Sequence, residues 1–219
     1  MALIREIGWL LKKELTLEYR MRYAISGILL YVLSTVFIVY ISAVRIDGAV
    51  WNVLFWIIVL FASVNAITKS FQQESGQRQL YYYSLLDPRA VILAKGLYNC
   101  LLLLVLTLLT YACFSFVAGN PVKDAGPFFL AIFLGSLGFA LTFTFISGIA
   151  SKADNRATLM AILGFPLIIP ILLTMVKMGA QSMGLIQGNS IRSDIATLVG
   201  IDLVLLAVSL LLFPFLWRD

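Results

Sequence analysis

The 219-residue chain is 61% hydrophobic and only 12% charged, with a mean hydropathy of +0.98. A soluble domain is about half apolar and about a quarter charged, so a water-facing core cannot hold the surplus and much of it must face lipid; the same surplus excludes a disordered chain. The net charge of +5 resides on residues that flank apolar runs, which reads as membrane topology rather than nucleic-acid binding.

The chain begins with an amphipathic stretch, 3–22. Leu3, Ile4, Ile7, Leu10, Leu11 and Leu15 recur at helical spacing, and Arg5, Trp9, Lys12, Lys13 and Arg20 fall on the other face. This pattern predicts a helix lying in the membrane interface, its basic residues near anionic headgroups. Glu14 and Glu18, one helical turn apart, lie on or beside the apolar face, where lipid burial is costly. They have two readings: locally solvated carboxylates of a membrane anchor, or, together with Arg20, contacts to a protein partner. The first long apolar run starts near Ala24 and is about 20 residues long, too long for the core of a signal peptide, so the start of the chain is expected to be retained.

A membrane-spanning helix needs about 20 apolar residues. Six runs qualify: 24–44, 50–68, 97–118, 128–150, 157–176 and 196–216. Between the second and third lies the longest connection, 69–95. Asp87-Pro88 within it has the form of a helix start, Asp as N-cap and Pro in the first turn, with the helix running on into the third span. The stretch before it mixes polar residues with Phe71, Glu74, the run Tyr81, Tyr82, Tyr83, and then Leu85 and Leu86. Apolar and aromatic knobs on a short helix suit docking into a groove of a soluble partner; packing on the chain's own spans is the alternative.

Within the fourth run, Ser136, Ala140, Thr144 and Gly148 form a stripe of small residues at four-residue steps. Such a stripe permits close helix approach, either inside the subunit or across a dimer seam. Pro166 and Pro170 should kink the fifth span. Asp202 interrupts the sixth, where an ionised carboxylate costs about 3 kcal/mol on insertion scales; it either lines an internal cavity or sits close enough to the outer interface to be hydrated. Cys100 and Cys113 share one run and would stand about 20 Å apart on a helix, too far for a disulfide.

Catalytic chemistry has no support. The chain has no histidine, which removes the commonest metal and haem ligand and most general-base schemes. No nucleophile elbow and no phosphate-binding glycine loop occurs. If ATP is used, another chain binds it. No directly bound cofactor is expected.

Several ordered motifs resemble the haem exporter protein B (CcmB) family. Lys13-Glu14-Leu15 followed by Glu18 and Arg20 is similar to its K-[DE]-L-x-x-E-x-R pattern. Phe71, Glu74 and Gly76, then Leu85-Leu86-Asp87-Pro88, then Lys95 and Asn99, form a second match; Arg156 followed by Phe165-Pro166-Leu167-Ile168-Ile169-Pro170 forms a third. Tyr81–Tyr83 and Asp202 depart from the pattern. The resemblance implies an all-α, ABC-2-like exporter permease of six spans plus an interfacial helix, in a bacterial cytoplasmic membrane. It implies a homodimer that pairs with a cytoplasmic ABC ATPase subunit, a haem-handling membrane subunit and a periplasmic haem chaperone, with haem as the handled species. The length and aromatic knobs of the 69–95 connection, together with the ATPase partner that the resemblance implies, make Phe71, Glu74, Tyr81, Tyr82, Tyr83, Leu85, Leu86 and Asp87 the docking candidates. The same architecture serves exporters of lipid, polysaccharide or drugs, and a non-transporting membrane scaffold is a further alternative.

Orientation follows from the basic residues. Twelve of the 16 Lys and Arg fall on the side that carries both termini and the 69–95 segment; Arg45, Lys123, Lys177 and Arg192 fall on the other. The richer side is expected to be cytoplasmic. In a background lacking Cys100 and Cys113, a cysteine placed at position 78 should resist an impermeant thiol reagent added outside intact cells, and one at position 123 should react. Labelling at 78 from outside would overturn the orientation.

Overall fold

The computed structural model describes residues 2–20, 23–42, 46–67, 86–150, 156–186 and 191–218. Among these, seven helices and no strand occur: α1 (Ala2–Arg20), α2 (Tyr23–Ser42), α3 (Gly48–Ile67), α4 (Pro88–Ala118), α5 (Ala125–Ala150), α6 (Arg156–Ser182) and α7 (Ile191–Arg218). Helices α3 to α7 are long and apolar enough to cross a membrane, and α2 contributes a shorter apolar stretch over Ser26–Ser42. In a bilayer only closed hydrogen-bonding patterns survive, which is why runs predicted on length alone reappear as unbroken helices. Tyr81, Tyr82, Tyr83, Phe71, Glu74 and Leu85 lie outside the described residues.

The helices begin where local chemistry says they should. The Asp87 carboxylate accepts a 2.8 Å hydrogen bond from the Arg89 amide and Pro88 occupies the first turn, the expected cap. From there α4 runs for 31 residues, about 46 Å at 1.5 Å per residue, and so outreaches a hydrocarbon core of about 30 Å. The third span therefore does not begin at Leu97; it is the inner part of a longer rod. Asp47 starts α3 similarly, accepting from the Val50 amide at 2.8 Å.

Helix α5 is the centre of the bundle. Its apolar window is 72% buried, and it packs against α3, α4, α6 and α7. Small residues allow this. A Cβ on Gly138 would stand 2.6 Å from an Asp202 carboxylate oxygen and 3.2 Å from Ile171, and one on Gly135 would collide with Met175. Ser136, Ala140, Thr144 and Gly148 are all buried within the chain: Asn99 Nδ2 on α4 donates to Thr144 Oγ1 at 2.8 Å, and Ser136 Oγ lies 3.5 Å from Thr107 Oγ1. The stripe is thus a packing face inside the subunit, and the dimer-seam alternative is corrected. Gly179 of α6 plays the same part toward α3: Asn52 presses against it, donates to the Val176 carbonyl at 2.7 Å and accepts from Trp56 Nε1 at 3.0 Å.

The two ends of the bundle differ. At one, Leu10 of α1, Ala90 and Ala94 of α4 and Phe213 of α7 share an apolar cluster, so both chain ends and the start of α4 lie together. At the other, the Lys123 and Asp124 amides donate to the Ser182 carbonyl at 3.0 and 2.9 Å. An aromatic cluster sits beneath them, with Trp51 stacked on Phe55 and Phe114 at 5.2 and 5.0 Å. Pro166 and Pro170 lie inside α6 on its exposed side, and the Thr174 hydroxyl donates to the Pro170 carbonyl at 2.8 Å.

Because Ala140 is fully buried, Ala140→Leu should overpack the core and cost about 2 kcal/mol. The expected readout is a lower melting temperature and less folded protein in mild detergent. Unchanged stability with selective loss of a dimer would restore the seam.

Candidate functional site

A set of linked polar contacts lies where α1 crosses α4. The first turns of α4 present Lys95, Tyr98 and Asn99 at helical spacing toward the protein interior, all three buried. Lys95 Nζ is 3.3 Å from Glu14 Oε1, and its side chain is 3% exposed against 11% for Glu14. Lys13 Nζ approaches the same oxygen at 3.4 Å. One turn further along α1, Glu18 Oε2 accepts a 2.7 Å hydrogen bond from the Tyr98 hydroxyl. Asn99 then carries the contact to Thr144 of α5. Three helices are therefore joined in register by side chains on consecutive turns of α4.

Glu14 and Glu18 of α1 both meet their own chain, a contact that neither sequence reading named. The Arg20 side chain lies outside the described residues. Lys95 is corrected: counted as a loop cation, it is a buried helix residue, and the basic imbalance between the two ends survives without it. On the outward side of α1, Ile4, Trp9 and Leu15 stay exposed, with Lys12 Nζ 5.9 Å from the Trp9 ring centre, as suits a helix seated in an interface.

Two of the docking candidates are described. Leu86 packs beside the cluster of Leu10, Ala90 and Phe213, and Asp87 is the exposed cap of α4. Asp202 is buried near the middle of α7, opposite Gly138 at the middle of α5. It borders a cavity of 310 Å³ between α1, α4, α5 and α7, and its two oxygens are buried without a hydrogen-bond partner among the described residues. Asp202 thus borders a cavity, as one of the two sequence alternatives had it. Near the far end, Asp194 is satisfied instead, by Lys177 Nζ at 2.6 Å and Gln181 Nε2 at 2.8 Å.

Sequence reasoning named Lys95 and Asn99 only as matches to a family pattern and missed Tyr98 and the pairings of all three with α1 and α5. A usable signal existed: three polar residues on one helix face at the mouth of an apolar run, facing two otherwise costly carboxylates on α1.

A bundle of long apolar helices, tied together by polar side-chain contacts between them, defines a polytopic helical membrane protein. The family model described as CcmB protein matches residues 5–217, and the chain belongs to the CcmB family. It is accordingly a membrane component of the haem-export, cytochrome c maturation ABC system. No curated protein and no solved structure matches the chain.

Breaking a buried ion pair from one side leaves an uncompensated charge, at a cost of about 3 kcal/mol or more. Glu14→Lys and Lys95→Glu should each lower thermal stability in detergent by that order, and the exchanged double variant should recover a large part of it. Additive losses in the double variant would show that the two side chains are not coupled.

Proposed function

We propose that the chain is the permease subunit that couples ATP hydrolysis on a cytoplasmic partner to haem export, or to release of a haem-loaded chaperone. The observation that carries this is the continuity of α4. The 69–87 segment ends at the capped start of a 31-residue helix, and the first half of that helix is fastened to α1 by Lys95 and Tyr98 and to the central α5 by Asn99. A displacement applied to the segment is delivered to the spans through a rigid rod instead of being lost in a flexible joint. On this reading the end with both termini faces the cytoplasm of a bacterial cell, where the ATPase docks on Phe71, Glu74, the Tyr81–Tyr83 run and Leu85. A haem-handling membrane subunit and a periplasmic chaperone work at other faces. Two copies of the chain pair through a surface other than the small-residue stripe.

Aromatic anchors dominate interfaces, at about 2 kcal/mol or more for a hot spot. Glu74→Lys combined with Tyr82→Ala should therefore lower co-purification of the ATPase at least about tenfold and reduce cytochrome c output, while the protein still inserts and accumulates. Arg45→Ala, at the opposite end, should do neither. Full ATPase binding and full maturation in the double variant would show that this segment is not the coupling element.

A further inference from the structure

The 310 Å³ cavity is almost wholly apolar and is not closed. Its rim on the outer surface is formed by Leu97 of α4 and by Val199 and Leu203 of α7, all exposed. It is therefore a groove that opens sideways between α4 and α7, toward lipid. Along α7 its lining runs from Leu210 to Val199, 11 residues apart and so about 16 Å. That is close to half of a hydrocarbon core of about 30 Å, the depth of one leaflet.

Its shallow end lies under α1, where Ile7 contributes to the wall. There the face of α4 that lines the groove through Ile92, Leu93 and Gly96 continues, at three-, four- and seven-residue spacing, to the exposed Arg89. Arg89 is thus an exposed basic residue one turn before the apolar lining, at the α1 end of the groove. The Asp202 carboxylate does not contradict an apolar occupant: its oxygens are buried behind the wall, toward Gly138. Gly96 keeps the groove open, since a Cβ there would meet nothing nearer than Leu141 Cδ2 at 3.8 Å.

We propose that this groove is a specific site for one glycerophospholipid of the adjoining leaflet, an acyl chain lying between α4 and α7 and the phosphate paired with Arg89. The occupant is thin enough to fill a slot between helices, which another membrane helix is not, and its phosphate complements the exposed Arg89. The site is independent of any ATPase coupling.

The test uses the full chain reconstituted in vesicles of equal parts phosphatidylethanolamine and phosphatidylglycerol. A trace of phospholipid bearing a photoactivatable group in its acyl chain is added, and adducts are mapped by mass spectrometry. Adducts should concentrate at Leu97, Val199 and Leu203 and be competed by unlabelled phospholipid. Gly96→Leu, whose Cβ meets nothing nearer than Leu141 Cδ2 at 3.8 Å and whose longer side chain occupies the slot, should abolish them. Arg89→Gln, a surface change that leaves the fold intact, should raise the competing concentration about fivefold, the factor for one basic residue at the headgroup level. Adducts spread equally over other lipid-facing positions such as Phe133 and Ile162, or adducts indifferent to Gly96→Leu, would overturn the site and leave ordinary boundary lipid. So would loss of the groove adducts in native membranes holding the assembled complex, which would assign the groove to a partner helix.

Discussion

A lysine ammonium shielded from water needs a counter-charge, and Lys95 has its counter-charge on another helix. That requirement organises one end of the molecule. Glu14 must lie over α4 at the height of Lys95, which fixes the rotation and the position of α1; Glu18 then falls one turn along, over Tyr98. Apolar packing of Leu10 with Ala90, Ala94 and Phe213 is compatible with this arrangement but would tolerate sliding, since apolar contact is not directional. The ion pair contributes less to net stability than to register, because desolvating both charges offsets much of their attraction. What it adds is a single permitted seating of an interfacial helix on a transmembrane one.

The same logic runs through the interior. Where water is absent, each polar group that enters must bring a partner or sit at a close helix crossing. Asn99 finds Thr144, Asn52 finds Val176 and Trp56, and Asp194 finds Lys177 and Gln181. Glycines make the crossings possible at the points where Asn52, Met175 and Asp202 come closest to neighbouring backbones. Asp202 departs from the pattern, as a buried carboxylate beside a cavity with no partner among the described residues, and intramembrane carboxylates of that kind are usually functional. It lies in the same four-helix layer as the α1–α4 junction, so a movement of α4 reaches its surroundings directly.

Much of the architecture was legible in the sequence because the bilayer imposes a length and a hydrogen-bonding rule on every span. The apolar runs, the Asp87-Pro88 cap and the amphipathic character of α1 are local signals, and the helices follow them to within a few residues, including the start of α4 at the predicted cap. The pairings were not legible. Glu14 and Lys95 are 81 residues apart, Glu18 and Tyr98 80, and Asn99 and Thr144 45. Nothing in a local pattern says that a lysine at the edge of an apolar run will be covered by a helix from the beginning of the chain. The small-residue stripe was visible as a stripe, but a sequence cannot say whether the helix received there belongs to the same subunit or to another. The docking candidates are of a third kind: Leu86 and Asp87 have local roles in seating and capping α4, while the aromatic run before them lies outside the described residues.

The account rests on α1 and the first turns of α4 acting as one body through the working cycle, fastened by Lys95–Glu14 and Tyr98–Glu18. Leu10 and Val91 belong to the same apolar cluster between these helices, so Leu10→Cys with Val91→Cys, in a chain lacking Cys100 and Cys113, places two thiols there for a reducible bis-methanethiosulfonate crosslinker. Cytochrome c output in cells before and after crosslinking measures the claim directly. If the two helices move together, the crosslinked protein should sustain maturation at the level of its reduced form. Loss of output on crosslinking, restored by a thiol reductant, would mean that α1 must leave α4 during the cycle, and would contradict the account.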